Sequence, residues 1–246
     1  MKIEVIVQAH NFERRLCWML SSILQQQDMD NVVSVQVTIC CMEHSEVSKT
    51  ADLFKAKGLN VKKLEWAHLT EFQYRGMTRN KAVKESDADF VIFADADMVY
   101  PPLFFRYIQH LMITDEWKDC SNCMYSERGS TYLEQTNALV DYYTYPCVIP
   151  KAWDKASTLK YKLMVNKGAG YFQLVNLKQL RLKHGGCYQV NHLPGDSDWF
   201  NGKPWKAFSD VQFRCRLKGK PIPLPMQLHL QHFRNNVTTT NIAIVR

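Results

Sequence analysis

The chain has 246 residues, 46% of them apolar and 12% aromatic, enough to bury one sizeable core and too apolar for a disordered or fibrous protein. Its net charge of +7 comes from Lys and Arg spread along the chain; it fits an anionic partner, and equally a protein kept soluble by surface lysines. No run approaches the roughly 18 apolar residues of a membrane span, and "MKIEVIVQAH" is too short and too alternating to read as a signal peptide.

"KIEVIVQA" reads as a first strand, and Leu16, Met19, Leu20, Ile23 and Leu24 then share one face of a helix. Val32 to Cys41 is a second strand. Its end, Cys40-Cys41, reads as two small buried hydrophobes. Val47, Ala51 and Phe54 mark a helix that stops near Gly58, and "NVKKLEW" is a short third strand. Thr70-Glu71-Phe72-Gln73 has the form of a capping box opening a helix to about Glu85. "DFVIFA" is a fourth strand, and Pro101 suits the first turn of the helix "PPLFFRYIQHLM". Strand and helix thus alternate four times, which predicts an α/β fold with a mostly parallel, doubly wound sheet.

The second half is less regular. Residues 115–165 are rich in Tyr, Ser, Thr and Asp, and "GAGYFQLVNLKQLRLKHGG", from Gly168 to Gly186, contains a glycine-flanked strand and then a short helix. A further helix is expected from about Ser209, closed by Gly219, with a proline-bounded edge strand after it. The eight cysteines form no paired framework, and the single C-x-x-C, Cys120 to Cys123, has no second pair to complete a zinc site. A cytoplasmic, reducing compartment is expected.

In such sheets ligands lie at the carboxyl ends of the strands. Asp95 and Asp97 sit at the end of the fourth strand. Two residues apart in extended chain, they project to the same side and repel each other unless a cation or protons intervene. Oxygen ligands of this kind suit Mg²⁺ or Mn²⁺ bridging a diphosphate; the bland alternative is a cap or turn ahead of the next helix. Arg75 and Arg79 are four apart on a helix and present donor forks suited to phosphate, or merely a solvated face. Gly76 between them costs a mid-helix position roughly 1 kcal/mol. His10 and Asn11 follow the first strand, where Asn11 is also a candidate cap for the next helix. Glu43 and His44 follow the second, placed for a base or ribose. Asp210, in the first turn of the expected late helix, is a capping residue or a general base. His229 and His232 flank Leu230-Gln231 and are candidate third ligands for a cation held by two carboxylates.

Together these stretches resemble the GT-A-fold glycosyltransferases, the family-2-like group above all. "VIVQAHN" is similar to that group's first strand and V-P-x-Y-N turn. "RGMTRNKAVKESDADFVIFADADMVYPP" is similar to its R-x-x-A-R-N-x-G…D-x-D segment, with Asp95 and Asp97 on the metal-binding D-x-D. The later region looks like the acceptor half of galactosyltransferase and N-acetylgalactosaminyltransferase types, and puts Asp210 where the family has its catalytic aspartate. His229 or His232 resembles the histidine that completes the metal shell in some members. The chain departs from the family pattern at Cys41-Met42-Glu43-His44-Ser45, where relatives carry D-D-x-S, and at Phe208-Ser209, where they carry Gly and Glu.

The resemblance implies a single GT-A domain, with residues 1–114 binding the nucleotide-sugar and residues 115–246 the acceptor. It implies metal-dependent transfer from a nucleoside diphosphate-sugar, UDP-sugars first, to a glycan or other hydroxyl acceptor, with inversion. His10, Asn11, Glu43, Arg75, Arg79, Asn80 and Asp95 would hold the donor; Asp95, Asp97 and His229 or His232 the Mn²⁺ or Mg²⁺; Asp210 would be the base. Nucleic acid is not an expected partner, and peripheral contact with a membrane stays open. The alternatives are a nucleotidyltransferase of similar fold, whose Gly-rich loop "AHNFERR" does not supply, and a non-catalytic glycan- or nucleic-acid-binding protein.

Overall fold

The computed structural model describes residues 1–26, 33–72, 75–113, 128–131, 161–164, 172–178, 199–200, 203–204 and 230–232. In chain order the elements are β1 (Lys2–Gln8), α1 (Glu13–Leu24), β2 (Ser34–Met42), α2 (Glu46–Ala56), β3 (Val61–Trp66), α3 (Leu69–Phe72), α4 (Arg75–Lys84) and β4 (Phe90–Ala94). Then come β5 (Met98–Val99), α5 (Phe104–Ile113), β6 (Arg128–Thr131), β7 (Tyr161–Met164), β8 (Phe172–Asn176), β9 (Trp199–Phe200), β10 (Lys203–Pro204) and β11 (Leu230–His232).

The main sheet runs β3-β2-β1-β4-β8, with the first four strands parallel and β8 antiparallel against β4. The sheet is therefore mixed and largely parallel. β1 lies at its centre, and residues 3–7 of that strand are buried on both faces, which is why the strand reads as a continuous apolar run broken only by Glu4. That carboxylate is 1% exposed and accepts hydrogen bonds from the hydroxyls of Thr38 and Ser86, so its burial is compensated. One face of the sheet packs Val5, Val7, Ile39, Cys41 and Ile92 against α1, α2 and α5. The other packs Ile6, Cys40, Leu64, Trp66 and Phe93 against Phe72, Ala82 and Val83 of α3 and α4. Cys40 and Cys41 thus project to opposite faces as small buried groups, and burial raises the Cys41 thiol to about 12.

Local signals place most helix ends. Ser45 caps α2, its hydroxyl accepting from the Ser48 N–H at 3.2 Å. At the other end Gly58 takes φ +93°, while Leu59 N–H reaches the Phe54 carbonyl and Gly58 N–H the Lys55 carbonyl, both at 3.1 Å. This is a Schellman stop, closed by Leu59 and Phe54 in the same core cluster. Other expectations shift. α1 begins after Phe12 without a side-chain cap, so Asn11 is not capping it; Asn11 is a left-handed turn residue at φ 56°. α5 begins at Phe104 rather than Pro101, because a residue that precedes a proline, as Pro101 does, is pushed out of the helical region. Gly76 follows Arg75 in α4, and residues 73–74 just before it lie outside the described residues.

β5 was not legible in the sequence. It follows Asp97 directly and pairs antiparallel with β11, which pairs parallel with β6, and β6 antiparallel with β7. β9 and β10 form a separate antiparallel pair. The helix expected from Ser209 and the edge strand after Gly219 lie outside the described residues, as does Gln73 of the expected capping box.

Candidate functional site

The strand order reverses beside β1: the chain passes from β1 outward to β2 and β3, then crosses by α4 to β4 on the other side. The carboxyl ends of β1 and β4 therefore border a crevice of the kind that takes ligands in open α/β sheets. Register levels the two ends. Val7 lies opposite Ala94, so Asp95 leaves the sheet level with Gln8, just below His10 and Asn11.

On the β1 side, the Gln8 side-chain amide donates to the Phe72 carbonyl at 2.5 Å and ties the strand end to α3. The His10 ring lies 6.0 Å from that of Phe72 at a 57° tilt. Burial lowers the His10 pKa, opposed by the Glu13 carboxylate. Its Nδ1 is buried with no hydrogen-bond partner among the described residues. On the β2 side, the Glu43 N–H donates to the Trp66 carbonyl at 3.1 Å while the residue itself is exposed; His44 follows with φ 56°. Two non-glycine residues with positive φ, Asn11 and His44, thus stand at two strand ends of one mouth, the kind of backbone found at ligand sites.

On the β4 side, Asp95 keeps about a third of its side chain exposed, at 32%, and Asp97 is 7% exposed. Arg79 of α4 is 1% exposed. Its guanidinium carbon lies 5.3 Å from the centre of the Phe93 ring, and Nη2 lies 4.0 Å from Asp95 Oδ1. Thr78, beside it, is buried and donates to the Phe72 carbonyl at 3.2 Å. Asn80 is partly buried on the same helix, and Arg75 is its first residue, one turn before Arg79. Tyr100 is fully buried among Phe104 and Phe105. Burial and the Asp95 charge push its phenol well above the usual range.

Among the described residues no cluster of three or more His, Cys, Asp or Glu side chains is placed to hold a metal ion. Asp97 and Asp95 are hard oxygen donors of the type that suits Mg²⁺ or Mn²⁺ with phosphate oxygens and water filling the remaining positions. His232 enters by register: it pairs with Met98, the residue after Asp97. His229 and Asp210 lie outside the described residues. At the end of β3 lies a further pocket of about 320 Å³, lined by residues that include Trp66, His68, Glu71, Met77 and Lys81, which the sequence reading did not single out. The Lys81 ammonium stands 4.7 Å over the Trp66 ring. The available signal was an aromatic residue closing a strand at the ligand-bearing end of the sheet.

No protein-family model matches the chain, and no curated protein matches it in sequence. Solved structures do. The chain superposes on S. aureus TarS 1-349 in complex with UDP-GlcNAc with a TM-score of 0.60 at 15% identity, over 96% of this chain and 59% of that one. It superposes on the mannosyltransferase PcManGT from Pyrobaculum calidifontis, in complex with GDP-Man and Mn²⁺, with a TM-score of 0.53 at 13% identity, over 94% and 56%. The chain spans less than two thirds of the length of either. At these identities the likeness is one of fold, and the chain has the general fold of these glycosyltransferases.

Proposed function

We propose that the protein moves a sugar from a nucleoside diphosphate-sugar, UDP-sugars first, to a glycan or other hydroxyl acceptor. The observation that carries the reading is the Asp95–Asp97 pair at the carboxyl end of β4, beside the crevice where the strand order reverses. Two relatives in fold support it, since TarS is described with UDP-GlcNAc and PcManGT with GDP-Man and Mn²⁺. We assign residues 1–114 to the donor and 115–246 to the acceptor.

In this reading His10, Asn11, Glu43, Arg75, Asn80 and Asp95 line the donor mouth, and Asp97 is the chief carboxylate for Mn²⁺ or Mg²⁺. When bound, the cation neutralises charge on the leaving diphosphate. His232 is favoured over His229 as a further ligand because its ladder partner is Met98, the residue after Asp97. Asp210 takes the acceptor hydroxyl's proton as the acceptor oxygen attacks C1, giving inversion.

The test is release of nucleoside diphosphate from a panel of UDP-, GDP-, CMP- and dTDP-sugars with Mn²⁺, Mg²⁺ or EDTA. Diphosphate released with one sugar nucleotide and only with a divalent cation supports the reading; turnover that survives EDTA removes the cation's role. Pyrophosphate as product would favour a nucleotidyltransferase. Asp210→Asn is expected to lose far more in turnover than in donor affinity, and near-normal turnover would remove its role as base.

A further inference from the structure

We propose that Arg79 is a positioning residue for Asp95, acting on the donor through that carboxylate and not by touching phosphate. The inference rests on the donor-site reading above and goes beyond it. Read from sequence, the same arginine is a candidate phosphate ligand or part of a solvated face.

Burial is the first argument. At 1% exposure Arg79 has almost no surface to offer a dissolved diphosphate, whereas Asp95 keeps 32% of its side chain open. The second argument is geometric. Phe93 lies in β4 and Asp95 is the first residue past its end, and Arg79 meets both. The guanidinium carbon lies 5.3 Å from the Phe93 ring centre and Nη2 4.0 Å from Asp95 Oδ1. A planar cation laid on an aromatic face keeps its orientation at little entropic cost. The helix beneath it is pinned, because Thr78 bonds the Phe72 carbonyl and Ala82 and Val83 are buried against the sheet.

A fixed positive charge behind Asp95 has two consequences. It holds the carboxylate at the rim of the crevice, and it offsets part of its charge, which makes Asp95 a weaker cation ligand than Asp97. Asp95 is then suited to accept hydrogen bonds from donor hydroxyls.

The experiment is a double-mutant cycle with Arg79→Met, Asp95→Asn and the combined variant. It reads calorimetric binding of Mn²⁺ alone and of Mn²⁺ with UDP or GDP, alongside urea midpoints without ligand. Each single variant is expected to weaken nucleotide binding about tenfold, and the combined variant no more than either single one, within about twofold. Arg79→Lys, which keeps the charge and loses the fork, is expected to fall between wild type and Arg79→Met, and it completes the cycle if Arg79→Met does not fold. Losses that multiply, to about a hundredfold in the combined variant, overturn the proposal, because an arginine on phosphate acts independently of Asp95. Additive urea midpoints overturn it as well, since the pair would then not be coupled. If wild type binds neither nucleotide, the donor-site reading falls and the positioning role with it, and the ligand-free cycle alone reports on the ion pair.

Discussion

His232 lies opposite Met98 in an antiparallel ladder, one residue beyond Asp97. The strand β11 is thereby hydrogen-bonded to β5, which directly follows Asp97. We predict that His232→Ala raises the Mn²⁺ concentration needed for half-maximal nucleotide binding by about tenfold or more, the scale on which metal sites respond to lost partners. His229→Ala should leave it within about twofold. Titrating Mn²⁺ into both variants decides the matter, and the reverse ranking would put His229 at the cation.

Tyr100 carries a hydroxyl that is buried without a hydrogen-bond partner among the described residues. A buried hydroxyl left unpaired costs about 1–3 kcal/mol. Tyr100→Phe keeps the ring stack with Phe104 and Phe105 and removes the orphan group. Its urea-unfolding free energy should equal or exceed that of wild type. A loss of more than about 1 kcal/mol would mean that the hydroxyl bonds a buried water.

His10 gives a pH dependence of stability. Burial lowers its folded pKa below the unfolded value of about 6.5. The unfolded chain therefore takes up the proton first as pH falls, and stability held above about pH 6.5 declines below it until the folded pKa is reached. His10→Asn should lose less stability than wild type between pH 7.5 and about 5.5 in parallel urea titrations. Identical pH slopes would show that His10 is as accessible to protons folded as unfolded.

Gly58 isolates a backbone cost. A Cβ there would meet nothing within 4 Å, yet φ is +93°. Gly58→Ala should destabilise the protein by about 1–2 kcal/mol through backbone strain alone, read as a lower Tm with unchanged activity. A variant as stable as wild type would show that the turn relaxes.

β1 and β4 were legible because each is buried on two faces and leaves a nearly continuous apolar run, broken in β1 only by Glu4. Residues 3–7 and Phe90–Ala94 are such runs. The end of α2 was legible because Gly58 acts locally. What escaped depends on partners far along the chain. β5 is two residues long, too short for any period, and exists by pairing with β11 more than 130 residues later. Within the site, four-residue spacing put Arg75 and Arg79 on one helix face without saying what that face meets. For Arg79 it meets the Phe93 ring and Asp95. Asp95 and Asp97 could be singled out because their spacing and place after a strand are local facts; the tandem prolines were read one step too simply, and the helix start moved to Phe104.

The central claim is that Asp97 holds the cation on which donor turnover depends. Asp97→Asn should be measured for nucleoside diphosphate release beside its thermal melt. The account predicts turnover reduced by about a hundredfold or more, with Tm within a few degrees of wild type. An unfolded variant, or one that turns over normally with Mn²⁺ present, would contradict it.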